Sequence, residues 1–585
     1  MIFGGLRAPL LSERNLPRGW NSDTAIRGLM ANRILDGKRF DVFFWGQNYM
    51  GPMTSLVAAG VGVIRRTAGL QPKIGPEGVR LASLIEVALG IVFFAFGLRR
   101  IFGGRAALLA ALVGAISPPF LFRESVLPNG PEMVLFLGGI LFWQSARIVT
   151  RPGGFAGASP AETALFGLVT GIGWWMNPGV LFVPLSVLYC VVSGSGVWER
   201  FRFRLRLRDR FWVRPGGLGW APMKPVVRAL IRFVNVVLSL EFVHALAHGV
   251  GLESQLGFRL PLPFLFWPLA EPVILFFASQ VVVSAAYGSK SVPSLLEPMS
   301  PERRRLDLAI LRRGGFFAGA LALGAAPVWL GGILGWYAKT YSYALGPIPS
   351  GAIPERWTSF WLADLWSFLG ADKTPWGWAF GAASAAFAAG LAVKNRGAVS
   401  RWLRFEPGSY SPGSLAAGTI FFAFVFHLFS STSAPGQFRY LTAALLPAYG
   451  VLAAVGLDFD AWLRSSPRWK LARMGLPVVF VSAAACLGLG SLGERNRIAS
   501  ESDPSPVLDT IRGGGYEICY ADYWQAYQLQ FLGDESVRFI PYLSRDRNPE
   551  ETRELAGRPG RRCFVDAKGN VSEMTSPPQK RRTKS

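Results

Sequence analysis

Charge is scarce in this chain. Only 17% of its 585 residues are Asp, Glu, Lys or Arg, below the roughly 25% of an average soluble protein. With 51% hydrophobic residues and a mean hydropathy of +0.30, that scarcity excludes an ordinary soluble surface and points to an integral membrane protein. Cysteine is scarcer still, and four residues are too few for a disulfide scaffold. Cys190 and Cys486 fall in apolar runs and read as core residues. Cys519 and Cys563 fall on candidate strands of a polar C-terminal region. They could pair if that region lies outside the cytoplasm, but two buried thiols is the preferred reading. No P-loop and no serine-hydrolase elbow occurs, which argues against an ATP-driven pump. No internal repeat is found, and the first twenty residues hold neither a span nor a signal peptide.

What is present is basic charge in a particular arrangement. The net charge is +24, and Arg and Lys cluster between apolar runs, as in GLRRIFGGR, ERFRFRLRLRDRF, SPERRRLDLAILRR and SSPRWKLAR. That is the positive-inside pattern of cytoplasmic loops, so no nucleic-acid partner is expected. Apolar runs of spanning length, about 17–25 residues, lie near 81–98, 105–122, 131–147, 162–176, 178–194, 262–287, 315–337, 376–394, 413–431, 440–457 and 475–493. A weaker run lies near 231–250, and 52–64 reads as a re-entrant or interfacial helix.

The expected fold is a polytopic α-helical membrane protein of about 12 spans. Residues 1–80 form a first external segment, and 81–493 form the transmembrane domain with basic cytoplasmic loops. The alternation of helix and strand patterns over 494–570 predicts a small α/β extracytoplasmic domain with a parallel sheet. Residues 571–585 read as a disordered basic tail. An external first segment needs a carrier, so the expectation is that the true start lies upstream, with a first transmembrane helix.

Asp23 stands at the head of an amphipathic helix with Thr24 to Leu35 as its body. In one reading Ser22 or Asp23 is simply the N-cap. In the other, the Asp23 carboxylate is a general base or metal ligand beside the membrane. Asp36 and Asp41 read as solvating a turn. In FFWGQNYMGP, the rings of Trp45 and Tyr49 suit stacking on a sugar, and the amides of Gln47 and Asn48 suit its hydroxyls. The alternative is an interfacial aromatic belt.

Glu124 and Glu132, in FRESVLPNGPEMVLF, are candidates for holding an acceptor or a metal. The helix macrodipole alone also favours an acid at Glu132, and Arg123 could pair with Glu124. Arg439 sits at the mouth of a span, where it could snorkel or hold a phosphate. Glu241, His244 and His248 share one helical face. They lack the zinc-protease pattern and read as a polar face.

NSDTAIRGLMANRILDGKRFDVFFWGQNYMGP, SPPFLFRESVLPNGPEMVLFLGG, RYLTAALLPAYG and YADYWQAYQLQFLGDESVRFIP together resemble the bacterial GT-C glycosyltransferases. The branch is the one related to protein mannosyltransferases and to the lipid A aminoarabinose transferase, and within it the members with an RgtA/B/C/D-like domain. The resemblance covers most of the chain and is loose over about 195–300.

It implies a GT-C-like fold in the bacterial cytoplasmic membrane with a periplasmic active site. The donor would be a polyprenyl-phosphate sugar and the acceptor an envelope lipid, glycan or protein. Asp23 matches the family's catalytic base, and Arg439 would contact the donor phosphate. Many members have Asp-Glu where this chain has Asp23-Thr24, so a divalent metal ion is left open. The alternative is a transporter or flippase of lipid-linked glycans, which would need paired polar residues within its spans. A third reading is a catalytically dead scaffold whose C-terminal domain recruits partners.

Overall fold

The computed structural model describes residues 2–12, 15–38, 40–47, 50–70, 73–194, 301–333, 353–359, 412–429, 441–465, 470–542 and 546–574. The described chain opens with α1 (Ile2–Arg7), α2 (Ser22–Leu35) and α3 (Met53–Thr67). A helical body follows: α4 (Pro76–Phe102), α5 (Gly104–Ile116), α6 (Pro119–Glu124), α7 (Pro131–Val149), α8 (Gly154–Gly157), α9 (Pro160–Met176) and α10 (Phe182–Gly194). It continues with α11 (Pro301–Gly324), α12 (Ala326–Ile333), α13 (Ile353–Ser359), α14 (Gly413–Phe429), α15 (Thr442–Ser465) and α16 (Lys470–Ser500). The C-terminal part is α17 (Ser505–Gly513), β1 (Ile518–Ala521), α18 (Tyr523–Leu532), β2 (Arg538–Pro541), α19 (Pro549–Gly557), β3 (Arg562–Val565) and β4 (Val571–Met574).

Among the described residues, α4 and α7 are long and apolar enough to cross a membrane, and α5, α10, α14 and α15 hold shorter apolar stretches. The expected spans near 231–250, 262–287 and 376–394 lie outside the described residues, as do Glu241, His244 and His248. On α4 the exposed face is apolar. Leu81, Ile85, Leu89, Val92 and Phe96 are exposed, at spacings of three and four that make one apolar stripe. A stripe of that kind facing water would be an aggregation site, whereas lipid accepts it. The opposite face crosses α7 closely, as small residues permit. A Cβ on Gly90 would lie 2.7 Å from the Leu135 carbonyl, and one on Gly139 2.7 Å from the Gly90 oxygen.

The run 105–122, expected as one span, is broken into α5 and α6. Ser117 turns to φ +70, and the prolines at 118 and 119 remove two amide donors. Buried Arg7 fills the break. It donates to Ser125 Oγ (2.6 Å), Ser117 Oγ (2.7 Å), Phe3 O (3.0 Å) and Ala115 O (3.2 Å).

In the C-terminal part the expected helices and strands form a four-stranded sheet of order β2-β1-β3-β4. β1 pairs in parallel with β2 and β3. Residues 571–574, read from sequence as tail, instead form the antiparallel edge strand β4 on β3. The turn between them is set by Asp566, whose Oδ1 accepts from Lys568 N and Asn570 N at 2.8 and 2.9 Å. One face buries Cys519, Ala521, Phe539 and Val565 against Leu508, Ala526 and Leu529 of α17 and α18. The other buries Ile518, Tyr520 and Ile540 against Leu555 of α19. Cys519 and Cys563 are partners in the β1–β3 register and form a disulfide, which corrects the expectation of two separate thiols.

Candidate active site

The site is built where α18 meets the first turns of α2. Asn21 caps α2, with its Oδ1 accepting from Thr24 N at 2.8 Å and Thr24 Oγ1 at 3.0 Å. Neither Ser22 nor Asp23, the caps of one sequence reading, has that task. The helix starts at Ser22, two residues before the body expected from Thr24, so the Asn21 carboxamide meets the third amide of the first turn. Ser22 Oγ reaches across to the carbonyls of Tyr523 (2.5 Å) and Trp524 (2.9 Å). Asp23 is thereby freed from backbone work.

The Asp23 carboxylate is 17% exposed. Its Oδ1 accepts from Tyr523 OH at 2.5 Å and lies 3.5 Å from Arg547 Nη2. The same guanidinium donates from Nε to Tyr523 OH (3.2 Å) and from Nη1 to Gly46 O (3.0 Å). Tyr523 opens α18, directly after β1. Asp522 caps that helix through Trp524 N and Gln525 N. Arg547 lies in the connection leaving the neighbouring strand β2, with its own amide donating to Tyr527 OH at 2.9 Å. Both therefore stand beyond the carboxyl ends of parallel strands, where open α/β sheets hold ligands. Burial, reinforced by the negative charge of Asp23, pushes the Tyr523 phenol above its ordinary range, so it stays a donor.

A second cluster lies one turn further along α2. Arg27 Nη1 donates to the Asp23 carbonyl at 2.7 Å, and its Nε is 3.5 Å from Glu132 Oε1. Glu132 Oε2 accepts from the amides of Asn129 (3.1 Å) and Gly130 (2.8 Å). Thr54 Oγ1 lies 2.9 Å from both Glu132 Oε1 and Glu86 Oε2. All four side chains are buried.

The remaining expected site residues are scattered. Trp45 is buried, donating to Asp41 Oδ2 at 2.6 Å, with the Arg33 guanidinium 4.6 Å over its ring and Tyr527 6.4 Å away. Gln47 is buried in the same loop. Glu124 ends α6, where its carbonyl accepts from Ser83 Oγ at 2.8 Å. Arg123 pairs with Glu501 (2.7 Å) and Glu494 (3.2 Å). Asn48, Tyr49 and Arg439 lie outside the described residues. Among the described residues, no three His, Cys, Asp or Glu side chains converge on a metal position.

Sequence reading missed Tyr523, Arg547, Thr54 and Glu86. Glu86, an acid inside an apolar run, carried a usable signal. Tyr523 and Arg547 carried none, because their partner is some 500 positions away.

Fold and site together define a mostly helical protein with a small α/β domain packed over a partly exposed carboxylate. Among solved structures it is similar to ArnT from Cupriavidus metallidurans bound to undecaprenyl phosphate. That match has 13% identity over 96% of this chain and 92% of that one, with a TM-score of 0.41. It is also similar to the Archaeoglobus fulgidus oligosaccharyltransferase in complex with Zn and sulfate, at 14% identity over 90% of this chain and 58% of that one, with a TM-score of 0.44. No family model and no curated protein matches. At TM-scores below 0.5 these likenesses carry no weight for the reaction, which rests on the site itself.

Proposed function

We propose that this is a GT-C-type integral membrane glycosyltransferase. It moves a sugar from a polyprenyl-phosphate donor to an envelope lipid, glycan or protein on the outer face of the cytoplasmic membrane. The observation that carries the reading is the Asp23 carboxylate. It is released from capping by Asn21, partly exposed, and held at Oδ1 by Tyr523. The motif resemblance supports the same residue as the base. The apolar outer stripe of α4 supports the bilayer. The Cys519–Cys563 disulfide supports an oxidising compartment for the C-terminal domain.

In the proposed reaction Asp23 takes the proton from an acceptor hydroxyl or amine. The acceptor atom attacks the anomeric carbon from the face opposite the lipid phosphate, so configuration inverts. The bond from anomeric carbon to phosphate oxygen breaks, and its electron pair leaves with the polyprenyl phosphate. Arg439 stabilises that developing anion. Glu132 is fully buried, with both oxygens engaged by Thr54, two amides and Arg27. It therefore acts by positioning α2, and no step is routed through a divalent ion. Trp45 and Gln47, buried in the loop between α2 and α3, and Glu124, at the end of α6, act as structural neighbours of the site.

One observation favours the transporter reading: Glu86, Glu132 and Arg27 are polar groups buried among apolar helices, as transport paths require. The deciding experiment is transfer of labelled sugar from polyprenyl-phosphate donors in membranes bearing native acceptors. Transfer by the wild type that Asp23→Asn abolishes supports the glycosyltransferase. Full transfer by Asp23→Asn would rule out Asp23 as base, and donor translocation without product would put the transporter ahead.

A further inference from the structure

We propose that Tyr523 and Arg547 are positioning residues for Asp23, and that the carboxylate is ready for catalysis only while the C-terminal domain is docked on α2. The proposal rests on the reading of Asp23 as the base and says what governs that base.

The first support is the closed triangle of contacts. Asp23 Oδ1, Tyr523 OH and Arg547 are mutually linked at 2.5, 3.2 and 3.5 Å. Arg547 is also tied to the loop preceding α3 through Gly46 O. An aspartate on an unsupported first turn has free χ1 and χ2 rotation. Here one of its two oxygens is fixed by donors from another part of the chain, leaving Oδ2 as the oxygen that receives a proton. Preorganisation of this kind is what an efficient base needs.

The second support is the fit that brings the donors there. α18 lies so close to α2 that a Cβ on Gly28 would fall 2.1 Å from the Phe531 ring. Phe531 is itself buried, with its ring centroid 5.1 Å from that of Trp20, so it has no room to retreat. Gly46, at φ +67, stands against Arg547, and a Cβ there would fall 2.4 Å from Arg547 Cδ. Two glycines thus mark close approaches of the two parts, one against Phe531 on the helix that carries Tyr523 and one against Arg547 itself. Around them Ser22 holds the Tyr523 and Trp524 carbonyls, and Arg33 pairs with Glu551 of α19.

The third support is strand topology. The donors stand beyond the carboxyl ends of the neighbouring parallel strands β1 and β2, so one rigid sheet edge fixes both of them against Asp23.

The test uses the full chain in membranes with radiolabelled polyprenyl-phosphate sugars. Tyr523→Phe removes a single oxygen. It is expected to lower kcat between about 10- and 100-fold, with KM for donor and acceptor unchanged and the yield of folded protein at the wild-type level. Arg547→Lys, which keeps the charge but not the fork, is expected to retain more activity than Arg547→Gln. Gly28→Leu is expected to lower kcat comparably by wedging α18 away. Adding Phe531→Ala is expected to recover it by making room, and a kcat loss at unchanged KM and wild-type folded yield is what a purely structural role for these residues would not produce. Wild-type kcat in both Tyr523→Phe and Gly28→Leu, with Asp23→Asn inactive, would overturn the proposal and leave the base in place. An active Asp23→Asn would take down the base and the proposal together.

Discussion

Two charged clusters share the first turns of α2, and they differ in every physical respect that separates chemistry from architecture. At Asp23 one carboxylate is partly exposed, with donors arriving from a distant domain on one side. At Arg27 the guanidinium and two carboxyl groups are sealed among α2, α3, α4 and α7. The Asp23 carboxylate reaches solvent as it stands, whereas the Arg27 cluster could do so only by opening the helical body. Charged residues one helical turn apart, as Asp23 and Arg27 are, are thus no guide to shared function. What separates them is access, together with the number of oxygens already engaged.

The largest expected effect is at the exposed end. Asp23→Asn keeps shape and loses the proton acceptor, so transfer should fall about 10²- to 10⁴-fold, with detergent-extracted protein eluting and melting as the wild type does. A drop in folded yield equal to the drop in activity would erase the distinction between the two clusters.

The buried end should respond in stability instead. Glu132→Ala strands Arg27 without its carboxylate, and breaking a buried pair costs about 3–5 kcal/mol, visible as a lower unfolding temperature in detergent. Glu86 should behave differently. Thr54 has one hydroxyl hydrogen for two carboxyl groups, so the second contact needs a hydrogen from a carboxyl. Glu132 already has two amides and Arg27, which places that hydrogen on Glu86. Glu86→Gln, whose amide can donate to Thr54, should stay within about 1 kcal/mol of the wild type. Equal losses at Glu86 and Glu132 would mean that the cluster is not polarised in this way.

Domain docking should also carry a signature at high pH. Burial, then the Asp23 charge, raises Tyr523 above the ordinary phenol value of 10.0. Burial, then the Asp546 charge, does the same to Tyr527. Once undocked, both lose burial and Tyr523 also loses the Asp23 charge, so both ionise at lower pH than when docked. Their contribution is therefore fully present below pH 10 or so and is lost as the pH rises past it. Limited proteolysis between α16 and β1 should accelerate over that window. The double substitution Tyr523→Phe, Tyr527→Phe should flatten the dependence.

Much of this was legible in the sequence, and the reason lies in range. The α/β alternation from α17 to β3 follows from local periodicity, and the expected elements appear at their expected positions. Asp23 was legible as a candidate because a carboxylate beside apolar sequence is conspicuous. The break at Ser117 was signalled by Pro118 and Pro119 and overlooked because the flanking run is uniformly apolar. β4 was hidden by the polarity of VSEM, which as an edge strand has little to bury. The Tyr523–Asp23–Arg547 triangle had no local trace, since three-dimensional closure joins residues that no periodicity relates.

The smallest effect expected falls on the residue that separates the two readings of Asp23. Asn21→Ala removes the cap and should cost about 1 kcal/mol, whereas Asn21→Ser should cost little. The consequence for activity should be larger than that figure suggests. Ser22 is occupied by the carbonyls of Tyr523 and Trp524, so the side chain next available to cap the exposed amides is Asp23. Capping and base catalysis then compete for one carboxylate. Transfer should fall in Asn21→Ala and return in Asn21→Ser at equal folded yield. If both variants transfer sugar at the wild-type rate, the cap and the base are independent, and the freedom of Asp23 owes nothing to Asn21.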